Sequence, residues 1–331
     1  MLVTQCFLGS LSLLLLVKGT LAAECGKRPM AARVVGGTDA IPNSWPWQIS
    51  LKAAVRGKLY HICGGSLISS LHVVTAAHCV VKNATPSRYK IVVGEHDQSK
   101  DEGNEQVMGV AAICYHKNFT LRHLRNDVAV LTLSEPVSMN EKVGTVCLPD
   151  RGQQVARGTR CYITGKGRLV GGGKPAIILQ QAAMPVVDHQ TCADANSALA
   201  TVDQQSMICA GYDTAGNIIS GCQGDSGGPF VCEENGRFVL HGAVSWGHPN
   251  CEADSTYTVF ARVSSYVDWI KQKMANGGYG QGCGPTPAPP TKRPCFDRWG
   301  KATCKLYKNL CKSNHTVRIS CRNTCNFRCD E

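Results

Sequence analysis

The stretch GDSGGP at residues 224–229 places Ser226 among small, turn-forming residues in the last third of a 331-residue chain. Two motifs precede it, TAAHC at 75–79 with His78 and NDVA at 126–129 with Asp127. A serine hydroxyl is protonated at neutral pH and attacks only when a base lies within hydrogen-bond reach and an acid fixes that base's tautomer. A lone histidine or buried aspartate is more often structural, but three such motifs in this order favour nucleophilic catalysis.

On these motifs, residues 34–276 resemble the chymotrypsin and trypsin family of serine endopeptidases over their whole length. The resemblance implies an all-β domain of two packed antiparallel β-barrels with a C-terminal helix. This agrees with the Val, Ile and Thr runs broken by Gly, Asn and Asp. The stretch SYVD at 265–268 can open that helix as a capping box, and the glycines at 277–278 close it.

The same resemblance implies the catalytic roles. Ser226 would attack the scissile carbonyl, His78 would take and return its proton, and Asp127 would orient His78. The backbone N–H groups of Gly224 and Ser226 are expected to form the oxyanion hole. Catalysis of this kind is expected to need no cofactor.

The resemblance also implies an activation bond between Arg33 and Val34, just before the VVGG stretch at 34–37. An activating protease with trypsin-like preference would cut there. The new amine of Val34 would then pair with Asp225, because a buried unpaired carboxylate is costly. The alternative is that Arg33 is an ordinary exposed loop residue.

The substrate pocket is predicted to be apolar and somewhat shallow. Trypsin-like enzymes carry Asp at its base, where this chain has a serine, so a preference for Lys or Arg is not expected. We expect Phe, Tyr, Leu or Met before the cleaved bond, with small aliphatic residues as the alternative, and without sharp selectivity. The resemblance assigns substrate binding to Ser220, Gly221, Ser245, Trp246, Gly247 and Thr258, of which residues 245–247 would pair with the substrate backbone.

Nineteen cysteines, mostly scattered singly, indicate an oxidising compartment and disulfide bonds rather than a zinc site. The family pairing implies Cys63–Cys79, Cys161–Cys232, Cys192–Cys209 and Cys222–Cys251, and Cys25–Cys147 would keep the propeptide attached. Two cysteines, Cys114 and Cys283, lack a partner in the usual set. We expect them to pair and so tie the end of the C-terminal helix to the first barrel.

The stretch EHDQSKDEGNE at 95–105 resembles the calcium loop of trypsin. Calcium prefers oxygen ligands. The expected ligands of a structural calcium ion are the carboxylates of Glu95, Glu102 and Glu105 and the backbone carbonyls of Asp97 and Lys100. A plain acidic surface loop is the alternative.

Two further features are expected to affect the surface rather than the chemistry. Lys166, in the GKG stretch at 165–167, stands where the family usually has tryptophan, and we expect it to alter surface packing. The sequons NAT at 83–85, NFT at 118–120 and NHT at 314–316 predict a glycoprotein, although each is a weak signal alone.

The amino terminus predicts secretion. An apolar run from Phe7 to Val17 is followed by Lys18 and small residues, which is typical of a signal peptide and too short to span a bilayer. We expect a secreted, extracellular monomer. Its expected partners are protein and peptide substrates, the activating protease and protease inhibitors, with no nucleic acid among them.

Composition and the family resemblance together divide the chain into an expected signal peptide (1–23), activation propeptide (24–33), protease domain (34–276), Gly/Pro-rich linker (277–294) and six-cysteine module (295–329). The GPTPAPP stretch at 284–290 favours extended backbone and so spaces the two domains. The last module is too short to form a core of its own and must be stapled by disulfides.

The six cysteines of this module match the spacing of ShK-type toxin domains. The resemblance implies Cys295–Cys329, Cys304–Cys321 and Cys311–Cys325. Channel-blocking members carry an adjacent Lys-Tyr pair that residues 312–320 lack, so a binding or tethering module with an unknown ligand is favoured over channel block. Residues 284–331 hold ten basic and three acidic side chains, which fits a solvated face or attraction to an acidic surface.

Three interpretations of the whole chain follow. The first is a digestive or defensive endopeptidase with a targeting module. The second is a toxin-like secreted binder whose ShK-type tail acts on an ion channel or surface ligand, with the β-domain as a carrier. The third is a catalytically dead homologue. The three motifs, the activation bond and the pocket favour the first.

Overall fold

Two antiparallel β-barrels form the fold in a computed structural model that describes residues 25–29, 37–213, 219–251, 256–277 and 283. The strands are β1 (Thr38–Asp39), β2 (Gln48–Val55), β3 (Lys58–Leu67), β4 (His72–Thr75), β5 (Tyr89–Val93), β6 (Gln106–Tyr115), β7 (Ala129–Leu133), β8 (Arg160–Gly165), β9 (Gln180–Val187), β10 (Met207–Ala210), β11 (Pro229–Glu234), β12 (Arg237–Trp246) and β13 (Thr258–Arg262). The helices are α1 (His189–Ala195) and α2 (Val267–Ala275).

The first barrel closes in the order β2-β3-β4-β7-β6-β5. Its strands are rich in β-branched residues, which suit a pleated, buried surface. The sequences HVVT in β4 and AVLTL in β7 are buried along their whole length. Trp47, Leu51, Ile91 and Leu131 have no exposed surface and fill the barrel.

The second barrel follows the order β9-β10-β13-β12-β11-β8 and is closed by the pairing of β8 with β9, while β1 adds to the outer edge of β9. Phe230 on β11 stacks on Phe260 on β13 with ring centroids 4.3 Å apart. Both rings are fully buried. The predicted pair of barrels with a C-terminal helix is therefore confirmed.

The C-terminal helix begins differently from the prediction. Residues 263–265 form a 3₁₀ turn, α2 starts at Val267, and no side chain caps its first turn. The hydroxyl of Ser265 donates to the carbonyl of Gln205 instead of accepting from the helix. The capping-box prediction is wrong because a tertiary partner takes the hydroxyl. Among the described helices, none is long and apolar enough to cross a membrane.

Six disulfides match the pairs implied by the resemblance and the expected Cys114–Cys283 pair. They are Cys25–Cys147, Cys63–Cys79, Cys114–Cys283, Cys161–Cys232, Cys192–Cys209 and Cys222–Cys251. The signal segment, the Arg33–Val34 bond, almost all of the linker and the whole six-cysteine module lie outside the described residues.

Removal of the Cys114–Cys283 bond should lower stability without changing catalysis. We expect the double variant Cys114→Ala/Cys283→Ala to lose about 2–5 kcal/mol of unfolding free energy, because the bond closes a loop of 169 residues. Denaturant unfolding measures the loss, and kcat of the activated enzyme is the control. A free thiol at Cys114 in peptide maps of the unreduced protein would contradict the pairing.

Candidate active site

Asp127 is a buried carboxylate that joins the two barrels. It lies just before β7 and has 1% of its surface exposed. Its Oδ1 accepts from the backbone N–H of His78 at 2.9 Å, and its Oδ2 accepts from His78 Nδ1 at 2.7 Å and from the hydroxyl of Ser245 at 2.6 Å. These three donors satisfy the buried charge. With Nδ1–H donating to the carboxylate, the other ring nitrogen, Nε2, is left to act as a base.

Ser226 lies on a turn that packs against the end of β4. The N–H of Gly64 donates to the carbonyl of Ser226 at 2.8 Å, and Thr75 Oγ1 donates to the carbonyl of Gly64 at 2.8 Å. A Cβ atom on Gly227 would lie 2.1 Å from Thr75 Oγ1, so only glycine allows this approach. The contact between Gly227 and Thr75 places Ser226 next to the end of β4, and the turn that holds His78 follows this strand directly.

The structure brings the serine and histidine segments together without a hydrogen bond between their side chains. Within the described residues, none joins Ser226 Oγ to His78 Nε2. Catalytic hydrogen bonds are often long before substrate binds and tighten only in the complex. The pairing of the two side chains therefore stays a prediction, while the pairing of His78 with Asp127 is a direct contact.

Two backbone donors next to the serine are available for a ligand. Across the described part of the chain, the N–H groups of Gly224 and Ser226 donate to no protein acceptor. Gly224 has φ +107°, which favours glycine, and its carbonyl accepts from His61 Nε2 at 2.9 Å. Burial lowers the pKa of His61. The two N–H groups can stabilise negative charge that develops on a bound carbonyl oxygen.

Asp225 is half-buried and lies between Ser226 and the second barrel. Its carboxylate accepts from the N–H of Gly167 at 2.7 Å and from the N–H of Cys222 at 2.9 Å. Burial raises the pKa of Asp225 to about 6. No cationic group in the described ranges pairs with it, and Val34 lies outside them. The site is thus chemically suited to an amine.

Two hydroxyl residues assigned to the pocket, Ser220 at its base and Thr258 in its wall, each make an internal hydrogen bond. Ser220 Oγ donates to the carbonyl of Cys251 at 2.7 Å, and the N–H of Gly221 donates to Thr258 Oγ1 at 3.0 Å. A Cβ atom on Gly221 would lie 3.1 Å from the methyl group of Thr258 and 3.3 Å from Val244. Carbon atoms therefore surround this position.

Sequence reasoning missed two contacts near the pocket. The segment 245–247 at the end of β12 was assigned to substrate binding, but the Ser245 hydroxyl itself bonds Asp127. The side chain of Gln223 donates from Nε2 to the carbonyl of Pro249 at 2.6 Å. Gln223 was not singled out because a single glutamine beside the serine motif carries no distinguishing pattern. At Gly247, a Cβ atom would meet nothing closer than 3.8 Å.

The described residues do not fit the expected calcium site. Both oxygens of Glu95 accept from lysines, Oε1 from Lys52 and Oε2 from Lys166. Glu102 accepts from the N–H groups of residues 96 and 97, and Glu105 accepts from those of residues 102 and 104. Asp97 binds Ser99 and lies 3.5 Å from the Lys100 ammonium.

Within the described residues, the one group of His, Cys, Asp or Glu side chains whose ligand atoms all lie within 4.8 Å of one another is Cys63, His78 and Cys79. The two cysteines of this group are joined in a disulfide, so it is not a metal site. The carboxylates of the 95–105 loop therefore do not converge on one point, and their charge is taken up by backbone donors and ammonium groups.

Comparisons with known proteins agree with this geometry. The family model described as Trypsin matches residues 34–270. Chymotrypsin-C of Bos taurus is 42% identical over 260 residues, which cover 76% of this chain and 94% of that protein. Chymotrypsin-like elastase family member 1 of Canis lupus familiaris is 43% identical over 248 residues, which cover 74% of this chain and 93% of that protein.

Replacement of Asp127 by Asn should disable the site without unfolding it. An amide cannot accept from all three present donors, because its NH₂ group faces one of them. We expect Asp127→Asn to lower kcat for peptide hydrolysis about 10⁴-fold. The control is Asp188→Asn, which keeps a good cap for α1 and should leave kcat unchanged. Equal kcat values for the two variants would contradict the assignment.

Proposed function

The chain belongs to the trypsin family and is a serine endopeptidase, and we propose that it is a secreted zymogen that cleaves after apolar residues. The observation that carries the proposed site is the buried carboxylate of Asp127, which accepts from the ring of His78, while the strand before His78 packs against the turn of Ser226. No other described group offers a base held in this way next to a serine flanked by two available N–H donors.

In the proposed mechanism, Ser226 Oγ attacks the scissile carbonyl carbon while His78 Nε2 takes the hydroxyl proton. The carbonyl oxygen becomes negative and is held by the N–H groups of Gly224 and Ser226. His78 then passes its proton to the leaving amine, and an acyl-enzyme remains. Water then attacks the carbonyl carbon of this ester while His78 takes its proton, and His78 returns the proton to Ser226 Oγ as the acid leaves. Asp127 stays ionised and stabilises the imidazolium of His78 throughout.

Activation is proposed to depend on Asp225. Desolvation raises the pKa of the Asp225 carboxyl group to about 6, and within the described residues its donors are backbone N–H groups, so it is costly to ionise. A free amine of Val34, made by cleavage after Arg33, would supply the missing positive charge. Because Asp225 stands between Gly224 and Ser226, the ion pair would order the oxyanion hole.

An apolar preference before the cleaved bond follows from the pocket. Neither Ser220 nor Thr258 carries a negative charge that could pair with a basic side chain, and each hydroxyl already makes one internal hydrogen bond. The methyl group of Thr258 limits the depth beside Gly221. The names of the relatives include both a chymotrypsin and an elastase, which agrees with large apolar residues as the first choice and small aliphatic ones as the second.

Secretion is proposed from the signal-like segment together with the disulfides. Six disulfide bonds within the described residues persist only in an oxidising compartment. Protein substrates, a trypsin-like activator and protease inhibitors are the partners that such an enzyme would meet there.

The zymogen proposal is tested by controlled cleavage. Treatment of the precursor with trypsin should release a new amino terminus at Val34 and switch on hydrolysis of apolar chromogenic peptides. Arg33→Gln should block both events. Asp225→Asn should be cut normally but stay at least about 10²-fold less active, because the oxyanion donors lose their anchor. Full activity of uncut Arg33→Gln would overturn the zymogen proposal, and full activity of cut Ser226→Ala would overturn the mechanism.

Pocket depth is tested at Thr258. We expect Thr258→Gly to raise the ratio of kcat/KM for Phe substrates over that for Ala substrates about 10-fold or more, because the removed atoms make room for a ring. Thr258→Val keeps the volume and removes only the hydrogen bond to Gly221, so it should leave the ratio unchanged. A shift of the same size in Thr258→Val would mean that volume does not control the preference.

A further inference from the structure

Lys166 is a buried cation that the catalytic mechanism does not use. Only 2% of its side chain is exposed, and its Nζ lies 2.6 Å from Oε2 of Glu95, which is itself 8% exposed. The expectation that Lys166 affects only surface packing is therefore wrong. Burial lowers the pKa of Lys166, and Glu95 opposes that shift. Burial also disfavours the charge on Glu95, but the two lysines outweigh it and lower the pKa of Glu95.

The ion pair crosses from one barrel to the other. Glu95 follows β5 of the first barrel with one residue between, and Lys166 directly follows β8 of the second. Lys52 on β2 donates to the second oxygen of the same carboxylate and keeps 16% of its side chain exposed. Glu95 thus holds Lys166 at a point where the two barrels meet. If Lys166 is removed, Glu95 still has Lys52 as a cationic partner.

The backbone beside Lys166 forms the wall against which the oxyanion loop rests. The N–H of Gly167 donates to Asp225 at 2.7 Å, and a Cβ atom on Gly165 would lie 2.0 Å from the same carboxylate. A Cβ atom on Gly224 would lie 2.9 Å from Cα of Gly167 and 3.5 Å from the carbonyl oxygen of Lys166. Any shift of residues 165–167 would therefore move both Asp225 and Gly224.

Residues 166 and 167 are held by both barrels, one through a side chain and the other through the backbone. Glu95 holds the ammonium group in the first barrel, and Asp225 holds the Gly167 N–H in the second. Both carboxylate oxygens of Glu95, an expected calcium ligand, accept from lysine ammonium groups. The ammonium group of Lys166 thus supplies the positive charge that a metal ion would otherwise provide.

We propose that Lys166 is a positioning residue for the oxyanion hole, and that its ion pair with Glu95 takes the place of a calcium ion in fixing the 95–105 loop to residues 165–167. The inference rests on the proposed role of the Gly224 and Ser226 N–H groups. Lys166 touches neither substrate nor reacting atoms. It acts through Gly167 and Asp225 on the direction of the Gly224 N–H.

The kinetic test compares Lys166→Met and Glu95→Gln with the activated parent enzyme. We expect kcat to fall about 10- to 100-fold in each, with KM within about threefold, because a misplaced oxyanion donor weakens the transition state more than the ground state. The affinity for a peptide aldehyde should fall by a similar factor. Its carbon bonds Ser226 Oγ while its oxygen enters the oxyanion hole, so it reports on that hole directly.

Lys273→Met is the matched control, because Lys273 is a second buried lysine, 5% exposed, on α2. Its loss should leave kcat and aldehyde affinity unchanged even if it lowers the melting temperature. Lys166→Arg should recover part of kcat, since it restores the charge at Glu95. Parent-like kcat and aldehyde affinity in both Lys166→Met and Glu95→Gln, or an equal loss in Lys273→Met, would overturn the positioning role.

The second test measures the effect of calcium on the melting temperature. It does not depend on catalytic activity, so its failure can be told apart from a failure of the proposed function. Millimolar calcium should shift the melting temperature of the parent by less than about 1 °C, whereas the double variant Lys52→Met/Lys166→Met should be stabilised because its Glu95 carboxylate becomes available. A clear calcium shift in the parent that Glu95→Gln abolishes would overturn the replacement of calcium by lysine. An inactive parent after cleavage at Arg33, with this calcium pattern intact, would instead count against the proposed function.

Discussion

The arrangement of the site depends on one desolvated carboxylate that both barrels must satisfy. Asp127 belongs to the first barrel, yet one of its three donors is the hydroxyl of Ser245 on β12 of the second. A buried charge with a donor missing is strongly unfavourable, so the barrels are held in the one relative position that completes the set. His78 and the turn of Ser226 meet in that position, which makes the geometry of the site a consequence of satisfying Asp127.

The same rule explains the contrast between the two aspartates of the site. Asp127 has side-chain donors from two residues, whereas within the described residues Asp225 has two backbone N–H donors and a raised pKa. Within the described residues, the charge of Asp127 has three donors and the carboxylate of Asp225 has no cationic partner. The proposed activation by the amine of Val34 depends on this difference.

The family resemblance carried by three short motifs was sufficient to predict the barrels and five of the disulfides, and the two cysteines left over predicted the Cys114–Cys283 bond. Contacts particular to this chain that distant strands supply were not predictable. The carboxylate of Glu95 matched a calcium ligand in its own loop, but its orientation is decided by Lys52 on β2 and Lys166 after β8. The hydroxyls of Ser245 and Ser265 likewise bond partners more than 50 positions away, which no local pattern encodes.

The Cys114–Cys283 bond has a mechanical consequence. Cys283 is the last described residue before the proline-rich stretch, and its sulfur is joined to Cys114 near the end of β6 in the first barrel. Cys283 is also linked to α2 through the backbone, so tension on anything attached beyond residue 283 is divided between α2 and β6. The disulfide adds a covalent path that bypasses the second barrel and α2. Part of any load on the residues beyond 283 would thus be carried by the barrel that holds His78, which lowers the force on the helix at the end of the domain.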